Sequence, residues 1–338
     1  MKRIITPTIL FTVWLAIGMA EQRTSVDIVW PKPPEKSRFR FLYAFSSKED
    51  IGIGKPWWRK TLDFLFGEEK EVTHLIRPQG ITVDADGRIL VTDPGAQGFH
   101  IFDFNRKEYT FVREGKNMAL LSPIGVAAAS DGTVYVTDSE LHAVVVFDRK
   151  GRYKFSIRDG LRRPTGVWVS DSLVYVTDTG ANQIVIFDRK GNAKYRIGQR
   201  GTANGEFNFP IHLCAERKPT ESSAEKLYIV DAMNFRLQIL QHDGKFISKF
   251  GRLGIGVGEF ARPKGVALDS DGHIYITDAL FDVVQVFDQK GKLLIAFGGS
   301  GSGVGSFYLP AGIFIDPEDR IYVVDSGNRR VQVFQYLR

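Results

Sequence analysis

Short apolar runs that end in aspartate recur along the chain: ILVTD at 89–93, VYVTD at 134–138 and again at 174–178, LYIVD at 227–231, IYITD at 274–278 and IYVVD at 321–325. Each is followed by a second run rich in β-branched and aromatic residues, such as VVVFD at 144–148 or VVQVFD at 283–288. Their length, their residue types and the Asp-Gly and Lys-Gly turn signals between them predict strands joined by tight turns. The runs are apolar at successive positions, so both faces of each sheet must be covered. Aligning on a Pro-x-Gly step yields six copies beginning at Pro78, Pro123, Pro164, Pro210, Pro263 and Pro310, at intervals of 45, 41, 46, 53 and 47 residues. Periods of this size point to a propeller or a solenoid.

The copy ending the chain decides between them. Copy five runs on into a fourth strand, KLLIAFG at 292–298, whereas copy six stops after VQVF and a short tail. The stretch RFRFLYAF at 38–45 has the pattern of the missing strand. A ring has a use for an orphan strand at one end and a vacancy at the other, and a solenoid has none. The expectation is an all-β, six-bladed β-propeller over 38–338, closed by this N-terminal strand.

The remaining chain adds three expectations. Residues 1–20 carry a basic start (Lys2, Arg3), an apolar stretch and small residues at Gly18 and Ala20, the layout of an export signal peptide. The reading is therefore an exported protein, periplasmic or extracellular, with an uncleaved N-terminal anchor as the lesser alternative, and with 21–37 as a linker. Removing the two cations of 1–20 lowers the formal net charge from +6 to +4, an excess too small to argue for nucleic acid. Cys214 is the single cysteine, which excludes an internal disulfide and reads as a small buried hydrophobe. No haem-attachment, metal or cofactor motif is present in the pattern, so no cofactor and no metal are expected.

GEFARPKGVALDSDGHIYITDALFDVVQVFD at 258–288, GEFNFP at 205–210 and DSGNRRVQVF at 325–334 resemble the NHL repeat. The resemblance extends over 38–338 and, more narrowly, is to exported bacterial NHL propellers without a catalytic domain. It implies a six-bladed propeller and leaves function broad, since relatives include scaffolds, RNA binders and lyase or esterase types. In amidating-lyase relatives, metal-binding histidines follow the repeat proline; here those positions hold Gln79, Ile124, Thr165, Ile211, Lys264 and Ala311. His212 replaces the repeat glycine in copy four, but one imidazole makes no metal site. The Glu-Gly-Pro stretch with which calcium-holding lactonase relatives begin is also absent. The function expected is a non-catalytic binding or protein–protein interaction scaffold. The alternative is a propeller-type lyase or hydrolase with a small-molecule site, calcium-dependent or not, at the channel mouth.

Two sets of residues are candidates for contact. Asp93, Asp138, Asp178, Asp231, Asp278 and Asp325 close the second strands and belong on one face of a propeller, together with Arg77, Arg163 and Arg262, which precede the repeat prolines. The aspartates suit turn hydrogen bonding, and the arginines suit either the aspartates or an acidic partner. The glycine-rich stretches at 251–260 and 298–307 lead into strands rather than helices, so they read as blade connections and not as phosphate loops. Outside the repeats, KPWWRKTLDFLFG at 55–67 predicts a helix over about 56–66. It either plugs one end of the ring or offers Trp57, Trp58, Arg59 and Lys60 to a protein partner or a membrane surface.

Overall fold

A computed structural model of the chain describes residues 28–53, 72–115, 118–216 and 226–338. The expected helix over 56–66, with Trp57, Trp58, Arg59 and Lys60, and the expected signal peptide lie outside the described residues. Almost all of the regular structure is strand, arranged among the described residues as six antiparallel blade sheets and a two-stranded sheet pairing Glu114–Gly115 with Met118–Ala119. Five are consecutive four-stranded blades at 81–112, 123–157, 164–197, 210–250 and 263–298. Blade 5 is representative: Pro263–Leu268 lies innermost, followed by Ile274–Asp278, Val283–Phe287 and the outer Leu293–Gly298.

Blade 6 is built from both ends of the chain. Pro310–Ile315, Arg320–Asp325 and Arg330–Tyr336 provide its first three strands, and Phe39–Phe45 pairs antiparallel with the last of them, from Phe39 opposite Tyr336 to Phe45 opposite Val331. The ring is therefore closed by the strand expected from the sequence. The segment 28–37, part of the stretch read as a linker, contributes a fifth strand: Val29–Trp30 pairs with Arg40 and Phe39. Trp30 packs edge-on against Phe334, with ring centroids 5.6 Å apart, so this short strand is tied to the blade by an aromatic contact as well as by its ladder.

The apolar runs cover one another between blades. Tyr275, Val284 and Phe297 of blade 5 interlock with Ile313, Val323 and Phe334 of blade 6, and Phe39 of the closing strand enters the same cluster. Phe39 lies 4.6 Å from Phe297, centroid to centroid, and is fully buried. This is why the middles of the second and third strands are mainly apolar, and why the polar side chains they do carry, such as Gln238, Gln285 and Gln332, are buried and hydrogen-bonded: each sheet face is a neighbour's core wall.

At the channel the inner strands approach more closely than side chains allow. A Cβ on Gly312 would lie 2.5 Å from the carbonyl oxygen of Gln79, and one on Gly265 would lie 2.9 Å from that of Ala311. The repeat glycine of the Pro-x-Gly step is thus a clearance requirement. Across the seam between blades 6 and 1, the Gly312 N–H donates to Gln79 O at 2.8 Å.

Deletion of 38–45 removes the outer partner of Arg330–Tyr336 and opens an apolar edge. The expected result is aggregation or loss of a single cooperative melting transition, followed by circular dichroism and light scattering. A deletion protein that melts like the parent would show that the ring is held closed elsewhere.

Candidate functional site

The geometry of one face follows from the second-strand aspartates. All six carboxylates are completely buried. In blades 1, 2, 3 and 5 each accepts two successive backbone N–H bonds from the connection entering its own blade: Ile76 and Arg77 for Asp93, Leu121 and Ser122 for Asp138, Arg162 and Arg163 for Asp178, Ala261 and Arg262 for Asp278. These bonds span 2.6–3.1 Å. For Asp93, burial raises the pKa, but the His100 imidazole 3.5 Å away and the bonds from the Ile76 and Arg77 amides outweigh it and hold the carboxyl below the usual range.

Blades 4 and 6 use a variant. Asp231 and Asp325 each accept one connection amide, from Asn208 and Tyr308, and the Arg236 and Arg330 guanidiniums at 2.7 Å, together with the side-chain amides of Asn234 and Gln238 or of Asn328 and Gln332. Those two guanidiniums also donate to carbonyls of the entering loop, among them Ala203 O and Ser306 O, and so are consumed internally.

Arg77, Arg163 and Arg262 are arranged differently. Their backbone amides serve the aspartates, while their side chains extend over the mouth of the central channel, where they border a cavity of about 650 Å³. The residues after each repeat proline, Gln79, Ile124, Thr165, Ile211, Lys264 and Ala311, line the same cavity. The structure thus brings the three sequence-predicted arginines together and places the six aspartates behind them, out of reach of solvent. Lys264 was not singled out by the sequence as a contact residue; its signal was its register, shared with the five other positions that follow the repeat prolines.

His212 stands in the floor of the mouth, bordering both this cavity and a smaller one of about 80 Å³ beneath it. Its Nδ1 accepts the Val266 N–H at 3.3 Å, a bond from blade 4 to blade 5. Desolvation pushes the imidazole pKa down to about 4.

The rim of the same face is apolar. Fourteen large apolar side chains are exposed among the described residues; three (Leu42, Ile247, Leu294) lie on outer strands, and the other eleven all stand in loops of this face. Ile255 and Val257 are 91 % and 89 % exposed, and Leu253 64 %. A fixed scaffold presents them: Glu259 turns back to accept the Gly256 N–H at 2.6 Å and the Arg252 guanidinium at 2.7 Å, and Phe260 anchors the loop in the core. The Gly-Glu-Phe motif is therefore a loop clamp. The opposite face carries paired charges: Arg189 pairs with Asp131 at 2.8 Å, Arg320 with Asp316 at 2.5 Å, and Arg149 with Asp86 across blades.

Comparison with known proteins agrees with this architecture. A family model described as a 6-bladed beta-propeller matches residues 218–285 and 268–336, and an NHL repeat model matches 120–147. No curated protein matches the chain. Among solved structures, virginiamycin B lyase from Staphylococcus aureus superposes with a TM-score of 0.57 at 13% identity, covering 88% of this chain and 100% of that one. A structural genomics protein of unknown function from Bacteroides thetaiotaomicron gives a TM-score of 0.59 at 16% identity, over 79% and 71%. A chain of the nidogen/laminin complex gives 0.51 at 22% identity, over 65% and 79%. At such identities the likeness is one of fold.

Two outcomes test the site's physical basis. Asp278→Ala leaves the Ala261 and Arg262 amides without their acceptor, and the expected loss is about 1–3 kcal/mol by urea denaturation. An unchanged midpoint would show that those amides find water instead. His212 protonates at about 4 in the fold against 6.5 unfolded, so the unfolded chain binds the extra proton between those values. Its contribution is complete above about pH 6.5 and declines as the pH falls toward 4, by on the order of 2–3 kcal/mol. His212→Gly, which restores the repeat glycine, should lose less stability than the parent between pH 7 and pH 4.5; equal losses would remove His212 from the acid response.

Proposed function

We propose that this six-bladed propeller with NHL-type repeats is an exported binding scaffold, and that the face carrying the channel mouth and the blade-to-blade loops is its contact surface. The observation that carries the reading is the segregation of exposed apolar side chains: the loops of one face hold them, and the turns of the other hold paired charges. An apolar rim displayed on clamped loops costs solvation and gains nothing within the monomer, whereas a partner that covers it recovers the burial. Rigid loops also lower the ordering cost of association. Export of the mature chain is part of this proposal and rests on the character of residues 1–20.

A photo-reactive amino acid placed at Val257 tests it, with the same label at Lys190 on the opposite face as control. In intact cells the expected result is a discrete protein adduct from position 257, absent from 190 and abolished by Ile255→Asp with the melting temperature unchanged. Equal labelling from both faces, or none from 257, would overturn the assignment of the face.

A further inference from the structure

The cationic side chains at the channel mouth differ from most of the other arginines among the described residues. Arg236 and Arg330 are buried against aspartates, and Arg189 and Arg320 are paired on the opposite face. By contrast, among the described residues the side chains of Arg77, Arg163, Arg262 and Lys264 make no hydrogen bond and no ion pair. One carboxylate, Glu140, borders the cavity, so four cations less one anion leave three net positive charges there. Like charges that converge without partners raise the energy of the empty fold, and the Lys264 pKa records it: burial lowers it first, and the Arg262 and Arg163 guanidiniums lower it further.

Their placement has a symmetry. The position before the repeat proline is arginine in blades 1, 3 and 5, and Ser122, Phe209 and Leu309 in blades 2, 4 and 6. Alternate blades of a six-fold ring are about 120° apart, so the guanidiniums approach the axis from three directions. The cavity they enclose, about 650 Å³, falls within the range of small-molecule sites. Arginine presents a planar fork matched to carboxylate and phosphate oxygens, and a concave mouth with protein walls focuses its field.

We propose that the channel mouth is a binding site for a small anion bearing two or more acidic groups, held by Arg77, Arg163, Arg262 and Lys264. This deepens the assignment of the contact face and rests on it: the apolar rim takes the partner, and the cationic centre takes the acidic groups of a small ligand. The arginine side chains serve no internal bond, so they can be exchanged without cost to the fold.

The full chain titrated with citrate, with inorganic diphosphate and with acetate at low ionic strength tests the site by calorimetry. The expected result is saturable binding at one site per chain for citrate or diphosphate, which also identifies the preferred acid group, with acetate weaker by about a hundredfold. Arg163→Gln and Arg262→Gln should each weaken binding by about tenfold, the worth of one charge-assisted bond, with the melting temperature unchanged. Lys190→Gln on the opposite face should leave the affinity unchanged. Absence of saturable binding with both polyacids, equal affinity for acetate, or equal weakening by Lys190→Gln would overturn the proposal. The two readings fail separately: without the anion site the Val257 adduct still forms in Arg163→Gln, and without the partner face citrate still binds.

Discussion

A buried carboxylate that holds the chain entering its own blade is the interaction on which the ring depends. Without it, the connection from an outer strand back to the channel would arrive with two unpaired amides in a closely packed wall, at a cost comparable to several surface contacts. The residue before the aspartate extends the same logic sideways. In blades 1, 2, 3 and 5 that residue is threonine, and its Oγ1 accepts the repeat glycine N–H of its own blade. In three of them it also donates to the inner strand of the next blade, Thr92 to Ile124 O at 2.6 Å, Thr137 to Thr165 O at 2.5 Å and Thr277 to Ala311 O at 2.6 Å, while in blade 3 the Thr165 hydroxyl beside Thr177 makes that bond, to Ile211 O at 3.0 Å. The Thr-Asp dipeptide thus fixes a blade to its incoming loop and to its neighbour in one step.

Where the dipeptide changes, other groups take over. Val230 and Val324 replace the threonine in blades 4 and 6. At the first of these junctions the His212 ring accepts the Val266 N–H, and at the second the inner strands bond directly through Gly312 and Gln79. In the same two blades Arg236 and Arg330 enter the carboxylate shell. Departures from the repeat are therefore coupled: a lost hydroxyl accompanies a gained guanidinium, and the ring stays bonded at every junction.

Much of this was legible in the sequence because it repeats. Six repeat prolines, five of them followed two residues on by glycine, six terminal aspartates and one displaced strand define the ring, and the glycine marks the close approach that excludes a Cβ. What could not be read was the state of side chains whose partners lie on other blades. Arg77 and Arg236 look alike as arginines near an aspartate, yet one reaches over the mouth and the other is buried in a loop of carbonyls. The difference comes from which strand end carries the residue relative to the aspartate. Ile255 and Val257 escaped notice for the opposite reason, since an apolar residue in a glycine-rich loop reads as packing until the Glu259 clamp is seen to hold it outward.

The closing strand also sets the order in which the molecule can assemble. Five blades pair only residues that are near one another in the chain. The pair Phe39 and Tyr336 is separated by 297 positions, and the loop that joins them is the protein itself. Loop-closure entropy grows slowly with length, but this contact has no nearer substitute, so the seam raises the contact order of an otherwise local fold. Until it forms, Phe39–Phe45 is a strand without a ladder and blade 6 is a sheet without its edge. The slow step of folding belongs at that seam, and every earlier species carries two complementary open edges, which on separate molecules would pair as readily as on one.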